Sequence, residues 1–200
     1  MSLGLYDDAI VNKLKQWTQK TDVRIYGPQN VPSVFELQAD DNNDNPLKLP
    51  IIAVRRNGGY RITNPNKQPL SYDGLTYEAV AKEDSNKSVQ INAIPISIDY
   101  QIDVYTRYFN EADELIRNFV FNLVNYPKIV IYIPYNNIQI EHDSALLLSQ
   151  DVMDNSDVPE RLIRGQFTRL SLNVTITDAY LWDIRVRDNY TIDTNLKVEN

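Results

Sequence analysis

The strongest constraint on this fold is the stretch "ISIDYQIDVYTRYFNEADELI" at residues 96–116, where the spacing of the apolar residues changes. Apolar and polar side chains alternate over residues 94–107, which is typical of a strand with one buried face. From residue 110 onward the apolar residues recur at helical spacing. The sequence therefore predicts a long strand that leads into a helix over residues 110–125. The polar face of the strand carries Asp99, Gln101, Asp103 and Tyr105.

Two helices are predicted, and each has one apolar side. The first covers residues 5–19, with acidic side chains at positions 7 and 8 in its first turn, where they suit the helix dipole. Its apolar stripe consists of Leu5, Tyr6, Ile10, Leu14 and Trp17. The second helix is expected to begin at an Asn110 N-cap and to end before Pro127. We expect it to bury four side chains against strand 94–107, namely Leu115, Ile116, Phe119 and Leu123.

Further strands are indicated by short runs of β-branched and aromatic residues. These runs lie at residues 22–27, 128–134, 170–178 and 180–186. Residues 50–63 are predicted to form a hairpin, because Asn57-Gly58-Gly59 supplies residues that accept the positive φ of a tight turn. Together the elements indicate an α+β fold, a largely antiparallel sheet with two helices packed on one face. Because the strands alternate, the other face of the sheet is expected to be polar.

One domain is predicted over residues 1–186, followed by an extended C-terminal arm over residues 187–200. Long loops are expected inside the domain at residues 27–49, 64–93 and 135–160. In the arm, four side chains share one phase of a strand-like alternation, namely Tyr190, Ile192, Leu196 and Val198. Their apolar area is too small for the arm to fold alone. We expect the arm to dock on a partner as an added strand, and a frayed chain end is the alternative.

The composition argues against several classes of function. The net charge of −7 does not suit a surface that grips nucleic-acid phosphates. The chain has no cysteine, and so it has no disulfide framework and no thiol nucleophile. No apolar run approaches the ~18–20 residues of a membrane span, and the N-terminus does not resemble a signal peptide. Tyrosine is abundant, with 13 copies against 5 Phe and 2 Trp, and tyrosine is enriched at protein interfaces.

No pattern of residues indicates a catalytic, cofactor or metal site. Asp99 and Asp103 share a strand face but lie about 13 Å apart, too far to hold one ion unaided. We expect both on a solvated or subunit-facing surface, paired across strands with a residue such as Arg169. His142 is the only histidine and is expected at the surface. The oxygen-rich segment at residues 39–45 lacks the glycine and distal glutamate of an EF-hand calcium loop.

The order and texture of these elements resemble the tail-terminator and tail-completion proteins of the bacteriophage neck. Four segments carry the resemblance, at residues 5–26, 49–63, 94–134 and 161–186. They contain "LYDDAIVNKLKQW" followed by "VRIYG", then "LPIIAVRRNGGYRI", then "ISIDYQIDVYTRYFNEADELIRNFVFNLVN", and last "RLIRGQFTRLSLNVTITDAYLW".

The resemblance implies a structural virion protein with no enzymatic activity, no cofactor and no membrane contact. Six copies would form a ring that caps the tail tube, stops its polymerisation and joins the tail to the head connector and neck proteins. In contractile tails the ring also meets the last layer of the tail sheath. The protein would be made in the host bacterial cytoplasm and reside in the virion.

Within such a ring, DNA would pass through without specific binding. The strand face with Asp99, Gln101, Asp103 and Tyr105 would face a neighbouring subunit or the DNA channel. An acidic channel wall would repel phosphates and let DNA slide.

Two other functions stay open at this point. Another virion adaptor, such as a head-completion or baseplate protein, has a similar texture. A small metal-dependent hydrolase is the second, but it needs clustered histidine and carboxylate ligands, and the chain has a single histidine.

Overall fold

A computed structural model describes residues 2–18, 22–30, 49–63, 76–81, 84–135, 138–156 and 168–182. Over these residues the fold is α+β, as predicted, with two helices and a mostly antiparallel, curled sheet of eight strands. The segment at 39–45 and the arm at 187–200, with Tyr190, Ile192, Leu196 and Val198, lie outside the described residues.

The helices are α1 (Ser2–Trp17) and α2 (Phe109–Asn125). The strands, in chain order, are β1 (Arg24–Tyr26), β2 (Ile51–Arg56), β3 (Arg61–Ile62), β4 (Thr76–Ala81), β5 (Asp84–Thr106), β6 (Lys128–Tyr135), β7 (Ile138–Asp154) and β8 (Thr168–Trp182).

The 23-residue strand β5 organises the sheet. Its second half pairs with β8 along one edge and with β2 and β3 along the other, in each case antiparallel. β1 extends this part of the sheet by pairing with β2 in parallel. The first part of β5 forms a hairpin with β4. The long strand predicted over 94–107 is therefore present, but it begins earlier, at Asp84.

β7 connects the two parts of the curled sheet. Its first half pairs with β6, and it meets β4 at the single pair Ala81 and Ile140. Its second half pairs with β8 from Leu146 to Asp154, with a register shift after Leu148. β7 thus pairs with β6 in its first half and with β8 in its second half, and the sheet curls around the core.

The hairpin predicted over residues 50–63 is wrong. β2 and β3 both pair with β5, with Arg56 opposite Tyr100 and Arg61 opposite Ser97. Residues 57–60 therefore form an excursion between two segments that run along the same neighbour. Gly58 has the positive φ, 78°, that the sequence led us to expect there.

Two of the three predicted loops contain strands. The range 64–93 includes β4 and the beginning of β5, and the range 135–160 includes β7. The alternation of β7 is hard to recognise because His142 and Ser144 are buried at positions between Ile140 and Leu146, where apolar residues are expected. The runs at 170–178 and 180–186 were expected as separate strands, but β8 is continuous to Trp182.

The helices pack on one face of the sheet, and the core lies beneath them. In α2, the buried side chains are Ala112, Leu115, Ile116, Phe119 and Leu123, which include all four that the sequence predicts. The N-cap is Tyr108 rather than Asn110, and no side chain caps the helix. In α1, Tyr6, Ile10, Leu14 and Trp17 are buried, as the apolar stripe predicts, while Leu5 is half-buried.

Candidate functional site

The face of the sheet opposite the helices carries polar side chains from three neighbouring strands, and we call it the polar face. It comprises Arg55 of β2, the four predicted residues Asp99, Gln101, Asp103 and Tyr105 of β5, and Arg169, Ser171, Asn173 and Thr175 of β8. The antiparallel registers place Asp103 beside Ser171 and Tyr105 beside Arg169. Directly paired residues point to the same face of a sheet, so the fold brings these groups together.

Asp103 lies at the centre of a buried hydrogen-bond network. Its own side chain is fully buried, and Arg169 donates to it from Nη2 at 3.2 Å and from Nε at 3.4 Å. The Ser171 hydroxyl donates at 2.6 Å and the Gln101 amide at 2.8 Å. Arg55 adds an ion pair at 3.5 Å. A carboxylate can be buried only when charge and hydrogen bonds are both supplied, and here they are.

Tyr105 and Asn155 extend this network on either side. The Tyr105 hydroxyl accepts a hydrogen bond from Arg55 at 3.1 Å, and its ring lies 5.6 Å from the Arg169 guanidinium. Asn155, just after β7, donates to the Ser171 hydroxyl at 2.8 Å. The network therefore ties β2, β5, β7 and β8 together on the polar face.

The other end of the polar face is more open. Asp99 and Gln101 are half-buried. Asp99 pairs with Arg61 at 2.9 Å and accepts a hydrogen bond from Thr175 at 2.7 Å. Arg61 itself is largely exposed, at 73%. These contacts are those of a solvated surface pair.

This arrangement differs from the predicted exposed face, because two of the four predicted side chains are buried. Asp103 and Tyr105 are buried inside the subunit, because Arg169 and Arg55 fold over them, so these two side chains do not line a channel or present charge to a neighbour. The cross-strand pairing with Arg169 is present as predicted.

The polar face is also not acidic. Its two carboxylates, Asp99 and Asp103, are matched by the guanidinium groups of Arg55, Arg61 and Arg169. This face therefore lacks the excess of negative charge that the predicted acidic channel wall requires. A role of Asp99 and Gln101 at a subunit interface or a channel stays a prediction.

A second polar cluster lies where β7 and β8 separate beyond the pair Leu146 and Ile176. The His142 ring contacts Tyr180 and Trp182 edge to face at 5.2 Å, and it is buried rather than exposed as predicted. Its Nε2 lies 3.1 Å from the Asp178 carbonyl oxygen and 3.0 Å from the Ser144 hydroxyl. Beyond this pair, contacts of these side chains connect β7 and β8 in place of backbone ladder hydrogen bonds.

Tyr6 of α1 completes this bridge. Its hydroxyl accepts hydrogen bonds from the Tyr180 backbone N–H at 2.7 Å and from the Trp182 indole at 3.2 Å, and it donates to the Tyr180 carbonyl at 3.3 Å. Burial raises the pKa of Tyr6 to about 12, so its hydroxyl keeps its proton at neutral pH. Helix α1 is thereby anchored to the end of β8.

The His142–Ser144 pair does not have the chemistry of a nucleophile and its base. The Asp178 carbonyl can only accept, so its 3.1 Å contact fits a neutral ring with the proton on Nε2, and such a ring cannot take a proton from the serine through that atom. Both side chains are buried, at 3% and 2% exposure, which leaves no access for a substrate. The cluster therefore holds two strands together.

A third buried group joins α1 to the sheet. Asp7 accepts a hydrogen bond from the Tyr100 hydroxyl at 2.9 Å and forms an ion pair with Arg56 at 3.1 Å. Burial raises the pKa of Asp7 above its ordinary value, and the Tyr100 and Arg56 contacts oppose that shift. Because α1 begins at Ser2, Asp7 does not lie in the first helical turn as predicted. The sequence signal for its burial is its spacing, three residues before Ile10 and seven before Leu14.

No group of three His, Cys, Asp or Glu side chains suited to a metal ion occurs in the part of the chain that the structure describes. Among the same residues, no helix is both long and apolar enough to cross a membrane. The sequence matches no protein-family model, and no curated protein matches it either.

Proposed function

We propose that this chain is a structural subunit of a bacteriophage neck. In this proposal, six copies form a ring that caps the tail tube, stops its polymerisation and joins the tail to the head connector. In a contractile tail the ring also meets the last sheath layer. The chain has this role in the virion after synthesis in the host cytoplasm, and it catalyses no reaction.

The observation that carries the proposal is the arrangement of elements. The family that the sequence resembles has an opening helix, a basic-ended strand and a long strand that runs into a second helix. This chain has α1, then β2 ending in Arg55 and Arg56, then β5 leading through two residues into α2. The polar clusters that tie these elements together serve packing, which agrees with a structural role.

The exposed apolar side chains favour assembly. Five large ones lie on α2 and its flanks, each more than half exposed: Tyr108, Phe109, Phe121, Val124 and Tyr126. Apolar side chains grouped on one element are typical of interaction surfaces. Tyrosine and phenylalanine are also the residues enriched where proteins bind each other.

Size-exclusion chromatography with light scattering, over a dilution series, tests the proposal. We expect assembly that depends on concentration and approaches six times the mass of the 23.1 kDa chain. A monomer at every concentration, combined with metal-dependent hydrolysis, would contradict it. Assembly with a location elsewhere in the particle would favour a different virion adaptor.

A further inference from the structure

Strand β6 lies at one end of the described strand order, and β1 lies at the other. Among the described strands, β6 pairs with β7 alone and β1 pairs with β2 alone. β1 has only 3 residues, whereas β6 has 8. A short edge strand offers few backbone groups to another chain, but a long one is a template for an added strand.

The middle of β6 also lacks the features that protect edge strands. Its charged residue is Lys128 at the start, which pairs with Asp143 at 2.6 Å, and its proline is Pro134 near the end. Between them, "IVIYI" at residues 129–133 has no charge, proline or glycine. β6 keeps one continuous register with β7, without a bulge. Apolar, β-branched segments of this kind associate with further strands when they form an edge.

The side chains of β6 define what an added strand must provide. Ile129, Ile131 and Ile133 are buried in the core, and the alternate residue Tyr132 is 44% exposed on the outer face. A strand that continues the sheet therefore needs apolar residues in one phase, toward the helices, and polar residues in the other.

The sequence beyond β8 fits this requirement. β8 ends at Trp182, and residues 183–200 follow it in the chain. Within this stretch one phase contains Tyr190, Ile192, Leu196 and Val198 with the small residue Thr194 in the middle, and the other phase contains Thr191, Asp193, Asn195 and Lys197. The alternation extends over residues 190–198, which is about the length of β6.

We propose that the edge of β6 with which no described strand pairs accepts residues 190–198 of a second copy of this chain as an added strand. Backbone hydrogen bonds supply the affinity, and the apolar phase extends the core beside Ile129, Ile131 and Ile133. The inference rests on the proposed function in one respect, since the ring is what places a second copy beside β6.

Engineered cysteines test this contact, because the natural chain contains none. One tagged chain carries Tyr132→Cys, and a second chain with another tag carries cysteine in place of Thr191, Asp193, Asn195 or Lys197. A disulfide needs Cα atoms about 4.4–6.8 Å apart, so it reports direct strand neighbours. We expect a disulfide-linked heterodimer for at least one of the four positions. Val130→Cys is a second edge probe, should Tyr132→Cys lower the melting temperature.

Leu147→Cys is the matched control, because Leu147 lies on β7 and is 48% exposed, close to the 44% of Tyr132. The proposal is overturned if no position gives a heterodimer with either edge probe, or if Leu147→Cys gives the same yield. A single chain that carries both cysteines is a further control, and the proposal is also overturned if its disulfide forms within that chain while the mixture of two chains gives no heterodimer.

These outcomes are separate from those of the proposed function. A six-fold ring in the neck without this cross-link would contradict the docking proposal alone. A heterodimer from a protein that is absent from the neck would contradict the neck proposal alone.

Discussion

At the scale of single residues, the two aspartates of the polar face have opposite surroundings. Asp103 is buried among Arg169, Ser171 and Gln101, while Asp99 pairs with the exposed Arg61. The sequence presents both as equivalent members of one alternating face. Their energetic weight differs because water screens the Asp99 pair and does not reach Asp103.

Replacing these two residues should therefore have unequal effects. Asp103→Ala leaves the buried Arg169 guanidinium without its carboxylate and should lower the free energy of unfolding by about 3–5 kcal/mol. Asp99→Ala, the matched control, should cost about 0–1 kcal/mol. Urea unfolding at neutral pH measures both, and equal losses would contradict the burial of the Asp103 network.

The buried His142 should make stability depend on pH. Burial lowers the pKa of His142 below its ordinary 6.5, although the Asp178 carbonyl opposes the shift. Below about pH 6.5 the unfolded chain binds a proton that the folded chain refuses, so the free energy of unfolding falls as the pH falls. The slope for one group is at most about 1.4 kcal/mol per pH unit.

His142→Phe keeps a ring against Tyr180 and Trp182 but removes the titration. Its stability should fall less steeply than that of the natural chain between about pH 7 and 5.5, in urea unfolding at each pH. Both chains retain Asp7, so the difference between the two curves isolates His142. Parallel curves would mean that His142 titrates in the folded protein as it does in water.

At the scale of elements, α2 has one side that holds the fold and another that is exposed. Phe119 is fully buried, and Phe121, two residues later, is 66% exposed. The helical period places them on opposite sides, with Phe119 toward the sheet. The two phenylalanines therefore form a matched pair within one element.

Phe119→Ala should lower the free energy of unfolding by about 3–5 kcal/mol, because it removes a buried ring and leaves a cavity. Phe121→Ala should change it by no more than about 0.5 kcal/mol. Thermal and urea unfolding of the two variants check this. If Phe119→Ala unfolds like the natural chain, α2 does not face the core as described.

The elements also show how far the sequence predicts this fold. Both helices and the strands around residues 51–56, 94–106 and 128–135 are predicted, because one face of each is apolar at a clear period. β7 is missed because its buried positions include the polar residues His142 and Ser144. Only the separation of β7 from β8 at this point explains why these two side chains are buried. The hairpin over 50–63 is wrong because a glycine turn shows that the chain bends, not which strand it pairs with.

At the scale of the whole molecule, the candidate site depends on contacts between distant parts of the chain. Arg169 and Ser171 lie 66 and 68 residues from Asp103 in sequence. Alternation places Asp103 on the polar face, but only the pairing of β5 with β8 shows that it is buried there. The proposed ring and arm belong to this scale too, since they concern contacts between copies.

Truncation after Val186 separates folding from assembly. The described core ends at Trp182, so the melting temperature should stay unchanged at a dilution where both chains are monomers, while assembly into the proposed ring should weaken. Light scattering and thermal unfolding of the truncated and full chains measure the two effects. A lower melting temperature of the truncated monomer would place the arm on its own subunit, and unchanged assembly would make it a frayed end.

The central claim is that this chain forms a ring in the neck of a phage particle. A density map of the neck of the intact particle, from electron cryo-microscopy, tests it most directly. We predict six copies of the curled sheet with α1 and α2, in a ring between the tail tube and the head connector. A neck without density for this fold, or the same fold located in the baseplate, would contradict the claim.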